Sequence, residues 1–287
     1  MTVAIVTDSN TSLPNSIIGD LPIFVAPLEV HINQKTYLDG VDIKASEFYR
    51  MIASDYYSLA TSAPTPHAFL NKFRSANLLA DEIICITLSS QLSATYTSAQ
   101  QAVELFNEET HSAVKIQLID SNTAGLAEGL MVLNCGYWAQ LGYNINQISE
   151  YITRTKNSYS MIGCLNSLDY LTKSGRIPHV FKWLASTINI KPVIQFSAGD
   201  IKTVSRKRGI IRAIDEMVAI ATQSIGDNFA FGAIMHSNEE KLANTLLTQL
   251  QEKINFRSIF VTELTPVIGA HVGNGLVGCA FYPIPNQ

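Results

Sequence analysis

The sequence predicts an α/β protein of two domains, the first a mostly parallel sheet flanked by helices, the second a mixed sheet with helices. Three observations carry this reading. Through the first half, runs that are apolar at every position alternate with helical periods, the pattern of strands buried on both faces and joined by crossover helices. Two of those runs end in the same tetrapeptide, Asp8-Ser9-Asn10-Thr11 and Asp120-Ser121-Asn122-Thr123. Small polar residues there cap the next helix, and the carboxyl edge of a parallel sheet is where open α/β sheets bind ligands. In the second half a turn at Ser197-Ala198-Gly199-Asp200 separates two strand-like runs, which reads as a hairpin and so as a mixed sheet.

In chain order, VAIVT (3–7) is a strand and a short helix follows Pro14. PIFVAPLEVHI (22–32) is an extended run, ASEFYRMI is helical, and another helix starts at His67. EIICITL (82–88) and VKIQLI (114–119) are strands, each followed by a helix, from Ala94 and after Thr123. Gly129 to Ser149 carries no formal charge, but Asn134, Gln140, Asn144, Asn146 and Gln147 interrupt it, so it reads as a buried helix and a turn, not a membrane span. The polar stretch 144–160 leads into the second half, and the domains are set at 1–157 and 158–287. Beyond it come MIGCL, helices around Leu168 to Lys173 and Val180 to Thr187, and the strands NIKPVIQF and IKTVS. A helix through IIRAIDEMVAIATQS, the strand FAFGAIM, a helix in EEKLANTLLTQLQEK, and the strands SIFVTEL and LVGCAFY complete the chain.

The 287 residues are 47% apolar and only 15% charged, and 24 acids against 20 bases leave a net charge of −4. This balance gives no bulk attraction for nucleic acid. Cys85, Cys135, Cys164 and Cys279 are far apart, lack CxxC spacing and read as buried thiols of a cytoplasmic protein. The amino terminus meets Asp8 before a secretory apolar core develops. No set of ligands at metal spacing and no phosphate loop of the familiar types appears, so neither metal nor cofactor is expected. Gly273-Asn274-Gly275-Leu276-Val277-Gly278 matches GxGxxG in letters only, because nine residues follow it and no helix or distal acid can.

What remains is hydroxyls and one histidine. Ser93, after the strand EIICITL, stands where Ala94 and Thr95 open a helix; it either caps that helix or helps its N-terminus receive an anion. In TSAPTP (61–66), two prolines stiffen the backbone that carries Thr61, Ser62 and Thr65. His271 lies in GAHVGNGLVG (269–278), whose glycines permit close approach of a ligand or another domain. Lys202, Arg206, Lys207, Arg208 and Arg212 form a local basic cluster suited to steering an acidic partner.

Taken together, IVTDSNTSLP, YLDGVDIKASEFY, TSAPTP, ITLSSQLSATYTSA, LIDSNTAGLAEG, LDYLTKSGRI, SRKRGIIRAI and GAHVGNGLVG, in this order over nearly the whole chain, resemble the DegV family, the bacterial fatty-acid-binding proteins that include the FakB carriers. The resemblance implies a long-chain fatty acid between the two domains, its carboxylate held by Thr61 or Ser62, by Ser93 with the Ala94 N–H, and by His271. It implies a non-enzymatic subunit that presents its ligand to a fatty acid kinase, with Arg176 and Arg206 near the docking or phosphate-proximal surface, and it leaves room for transient membrane contact. Ala63, Ala94, Ser174 and Asn274 depart from the family's usual residues. Two other readings compete: a serine acyl hydrolase using Ser93 and His271, and a small phosphate-ligand-binding protein using the two DSNT strand ends.

Overall fold

A computed structural model describes residues 3–54, 57–110, 114–166, 169–175 and 190–284. The elements run β1 (Val3–Asp8), α1 (Asn15–Ile18), β2 (Ile23–Ala26), β3 (Glu29–Ile32), β4 (Lys35–Leu38), α2 (Ala45–Ser54) and β5 (Leu59–Ser62). Then come α3 (Pro66–Asn77), β6 (Glu82–Thr87), α4 (Thr95–Thr110), β7 (Lys115–Asp120), α5 (Gly125–Gln140) and α6 (Ile145–Thr155). The second half holds β8 (Ser160–Cys164), α7 (Asp169–Ser174), β9 (Ile190–Ser197), β10 (Asp200–Arg208) and α8 (Ile210–Ile225). It ends with β11 (Ala230–His236), α9 (Glu240–Gln251), β12 (Phe256–Glu263), α10 (Pro266–Val272) and β13 (Val277–Pro283).

Both α/β units are present. The first is a four-stranded parallel sheet in the order β2-β1-β6-β7. The second is a six-stranded mixed sheet, β10-β9-β8-β13-β11-β12, in which only β11 and β12 pair in parallel. The hairpin turns at Ala198 and Gly199, both at positive φ (50° and 81°), the geometry of a tight primed turn.

The uninterrupted apolar strands are explained by two-sided burial. Along β1, Val3 and Ile5 face the core shared with α5, while Ala4 and Val6 face α3 and α4; along β6, Ile84 and Ile86 part from Ile83 and Cys85 in the same way. Helix α5 lies between the two sheets, against β1 and β6 on one side and β8, β11 and β13 on the other. Nearly all of its residues are buried, which is why its sequence has no polar stripe. Helices α8 and α9 cover the outer face of the second sheet. All four cysteines are buried free thiols. Among the described residues no helix is long and apolar enough to cross a membrane.

Three features depart from the sequence reading. The run 22–32 is not one strand: it breaks at Pro27, which cannot donate to a ladder, and passes from the parallel sheet into a separate three-stranded antiparallel sheet, β4-β3-β5. The polar stretch after Asn144, which the sequence reading assigned no element, forms helix α6, closed by a capping box in which Asn144 Oδ1 accepts from the Gln147 N–H at 3.1 Å and the Asn144 N–H donates to Gln147 Oε1 at 3.0 Å. Its Ile145, Ile148 and Ile152 are buried at helical spacing. Helix α10, which carries His271, was hidden by glycines. The helix expected over Val180 to Thr187 lies outside the described residues.

Candidate functional site

A cavity of about 420 Å³ opens at the carboxyl edge of the parallel sheet, within the usual range for small-molecule sites. Asn10 beyond β1, Leu88, Leu92, Ser93 and Ala94 beyond β6, and Ala124 and Gly125 beyond β7 contribute to its wall. The second sheet supplies apolar walls from Met161, Ile194, Phe196 and Met235, and α10 adds Val267 and His271. The cavity therefore lies between the two units, at the edge that the repeated DSNT tetrapeptides mark. Their carboxylates are used internally: Asp8 Oδ1 accepts from the Asn10 N–H at 3.0 Å, and Asp120 accepts from the Asn122 and Ser90 N–H groups at 2.9 and 3.2 Å. Asp8 does cap the turn that follows it, whereas α5 begins after Ala124 and Asp120 does not cap it.

The structure joins two of the predicted residues directly. Thr61 Oγ1 lies 2.8 Å from His271 Nε2, across 210 residues of sequence. On β5, Thr61 pairs with the buried Val30 of β3, so it faces inward, while Ser62 takes the opposite face of the pleat. There the Ser62 hydroxyl meets His31 Nε2 at 2.7 Å, although Ser62 still borders the cavity. Ser93 also lines the cavity; its Oγ accepts from the Thr95 N–H at 3.3 Å and lies 2.8 Å from Thr95 Oγ1. Ala94, not Ser93, holds the cap position of α4, since its carbonyl accepts from Ser98 N–H at 3.0 Å. Ser98 Oγ in turn donates to the Pro64 carbonyl, tying the TSAPTP segment to the start of α4.

The glycines around His271 serve packing within the protein. A Cβ at Gly269 would stand 2.6 Å from Phe48 Cε1, one at Gly273 2.3 Å from the Tyr170 ring, and one at Gly275 2.5 Å from Asn166. The letters GxGxxG join helix α10 to strand β13, the reverse of a dinucleotide loop.

Arg206 reaches the cavity side through a bulge. In β9, Ile194 and Phe196 face the cavity, paired with Thr203 and Ile201 of β10. The register then shifts between Thr203 and Ser205, so that Ser205 pairs with Val193 and Arg206 with Pro192. By the pleat of β9, Pro192 shares the face of Ile194 and Phe196, and Arg206 stands with them while remaining exposed. Within the basic cluster, Lys202 pairs with Asp200 at 2.8 Å and Lys207 with Glu216 at 2.9 Å. Arg176 lies outside the described residues.

Sequence reasoning missed a set of buried carboxyls behind the cavity wall. Asp8 Oδ2 accepts from the Leu88 N–H at 2.9 Å, Glu128 Oε2 accepts from Asn10 Nδ2 at 2.8 Å, and Asp39 accepts from Ser9 Oγ at 2.6 Å and the Val267 N–H at 3.0 Å. Asn10, Leu88 and Val267 all line the cavity. Burial pushes Asp8 up to about 7 and Asp39 up to about 6, and it raises Glu128 well above the usual carboxylate range. The folded chain thus binds more protons than the unfolded chain, and stability falls as pH rises through these values. His236, which burial lowers from 6.5, opposes this only at lower pH. Between about pH 6.5 and about pH 8 the melting temperature should drop, and Asp8→Asn should flatten the slope. A melting temperature that climbs over that interval contradicts the assignment.

The comparisons with known proteins agree with this architecture. A family model described as "Uncharacterised protein, DegV family" matches residues 2–284. A DegV domain-containing protein from Caldanaerobacter subterraneus subsp. tengcongensis is 30% identical over 281 residues, covering 97% of this chain and 98% of the relative. A structure reporting fatty acid binding of a DegV family protein from Thermus thermophilus superposes with a TM-score of 0.90 at 25% identity, covering 99% of this chain and 100% of that one. DegV of Bacillus subtilis, a fatty acid binding protein, shares the fold with a TM-score of 0.86 at 22% identity, covering 99% of this chain and 100% of its own. On the strength of a match running from one end of both α/β units to the other, the chain belongs to the DegV family.

Proposed function

We propose that this protein is a carrier of a long-chain fatty acid, which it presents to a fatty acid kinase subunit for conversion to the acyl phosphate. The observation that carries the reading is one cavity that combines apolar walls with the Thr61–His271 pair, Ser93 and the start of α4. Burying an acyl chain gains about 0.8 kcal/mol per methylene, on the order of 10 kcal/mol for a long chain. The opposing cost is the carboxylate, several kcal/mol if it is buried without hydrogen bonds. Thr61, Ser93, the Ala94 N–H and His271 offset that cost, with Ser62 bordering the same end. The pairings of His271 with Thr61 and of Ser93 with Thr95 support a ligand clamp over a Ser93–His271 hydrolase.

The protein itself carries no catalytic residue in this scheme and needs neither metal nor cofactor. Its domains meet between residues 157 and 158, and it works in the cytoplasm, touching membrane transiently to exchange lipid. Arg206, turned to the cavity face by its bulge, borders the surface offered to the kinase, and the family resemblance assigns Arg176 to the same docking or phosphate-proximal role.

Native mass spectrometry of the purified protein, followed by organic extraction, tests the ligand class. A stoichiometric fatty acid is expected. An empty protein that ignores added oleate and is stabilised by a small phosphate compound would overturn the proposal. Arg206→Ala should bind oleate as the wild type does yet fail to support kinase turnover; unchanged turnover removes the docking role.

A further inference from the structure

We propose that Asp39 is the positioning residue of the carboxylate clamp, holding the sheet that carries Thr61 and the helix that carries His271 against each other. The inference rests on the fatty-acid reading above.

Helix α10 spans only Pro266–Val272, too short to be stable on its own. Its cap residue, Thr265, makes no side-chain bond to the helix; its hydroxyl lies 3.2 Å from Ser12 Oγ and donates to the Ser9 carbonyl at 3.3 Å. The acceptor at the start of α10 is supplied from elsewhere in the chain: Asp39 Oδ1 takes the Val267 N–H at 3.0 Å, 228 residues away. A carboxyl oxygen there satisfies an open N–H and, when ionised, complements the helix dipole. One turn on from Val267 is His271, and both line the cavity.

The other side of the clamp hangs on the same residue. The Asp39 N–H donates to the Leu28 carbonyl at 2.9 Å, the Leu28 N–H donates to Ser9 Oγ at 3.0 Å, and Ser9 Oγ donates to Asp39 Oδ2 at 2.6 Å. This closed ring fixes Leu28, the residue before β3, and β3 pairs Val30 with Thr61. Asp39 is almost wholly buried at 2% exposure, so water cannot replace either contact. A single residue therefore ties the anchors of both Thr61 and His271. Its carboxylate reaches the Val267 N–H directly and Leu28 through Ser9, its own N–H reaches the Leu28 carbonyl, and this bears on the 2.8 Å separation of the pair.

The test is a double-mutant cycle on oleate affinity, measured by titration calorimetry of delipidated protein. Asp39→Ala should weaken binding about tenfold, the loss of one ordinary cap. In a His271→Ala background the same change should cost clearly less, about threefold, because the His271 contact it positions is already gone while that of Thr61 remains. Asp39→Asn keeps an oxygen for the Val267 N–H and should recover affinity to within about threefold of wild type. Equal losses from Asp39→Ala in both backgrounds would overturn the positioning role, since general destabilisation adds independently. If Asp39→Ala does not fold, Ser9→Ala, which breaks the ring at its other corner, goes through the same cycle, with additivity again overturning the role. Wild-type protein that ignores oleate defeats the fatty-acid reading itself; wild type that binds, with Asp39→Ala binding equally well, defeats only the role of Asp39.

Discussion

His271→Ala is expected to weaken fatty-acid binding by about ten- to a hundredfold, the worth of one hydrogen bond to a buried charged group, while the fold survives. His271 sits in the last turn of a short helix and is half-buried, so losing its ring leaves a small polar gap and no collapsed core. Binding should be weakened, not abolished, because the acyl chain still supplies on the order of 10 kcal/mol. Ser93→Ala should have a smaller effect of the same sign, since the Ser93 hydroxyl is already shared with Thr95 at 2.8 Å. Delipidation and rebinding of oleate gives the answer, and equal retention in both variants would remove these residues from the site.

The second large effect concerns a residue that touches no ligand. In a helix interior Gly→Ala ordinarily stabilises by up to about 1 kcal/mol. At Gly269 the sign reverses: the new methyl would stand 2.6 Å from Phe48 Cε1 and 2.7 Å from the Tyr49 hydroxyl. Phe48 and Tyr49 are 0% and 1% exposed and pack edge to face at 5.3 Å, so neither ring can swing aside. Overpacking of this kind costs about 1–3 kcal/mol and exceeds the gain in propensity. Gly269→Ala should therefore lower the melting temperature and, by pushing α10 off α2, weaken oleate binding as well. A variant as stable as wild type, with unchanged affinity, would show that α10 has slack the packing does not reveal.

Much of this protein is legible along the chain. The parallel sheet, its crossover helices and the hairpin follow from local periodicity and turn residues, because strands buried on two faces have no polar alternation. The shared edge marked by Asp8 and Asp120, and the candidates Thr61, Ser93 and His271, were also readable, since strand ends and helix starts announce themselves in hydroxyls and glycines. Helix α6 was legible and overlooked: Asn144 and Gln147 stand at capping-box spacing. The break at Pro27 was signalled by the proline, but its destination, a separate small sheet, was not.

By itself, the sequence determined most of the strands and helices of the two large α/β units, their order, and which short polar segments stand at the ends of strands. Only the tertiary structure decided that Thr61 and not Ser62 faces inward, that a bulge turns Arg206 to the cavity side, and that Asp39 caps a helix 228 residues away. Periodicity reports only which face of its own element a residue occupies. A cavity is made where faces from distant elements meet, and that meeting is set by the packing of α5 between the two large sheets and of α10 against α2 and the small sheet, which no local window of sequence contains.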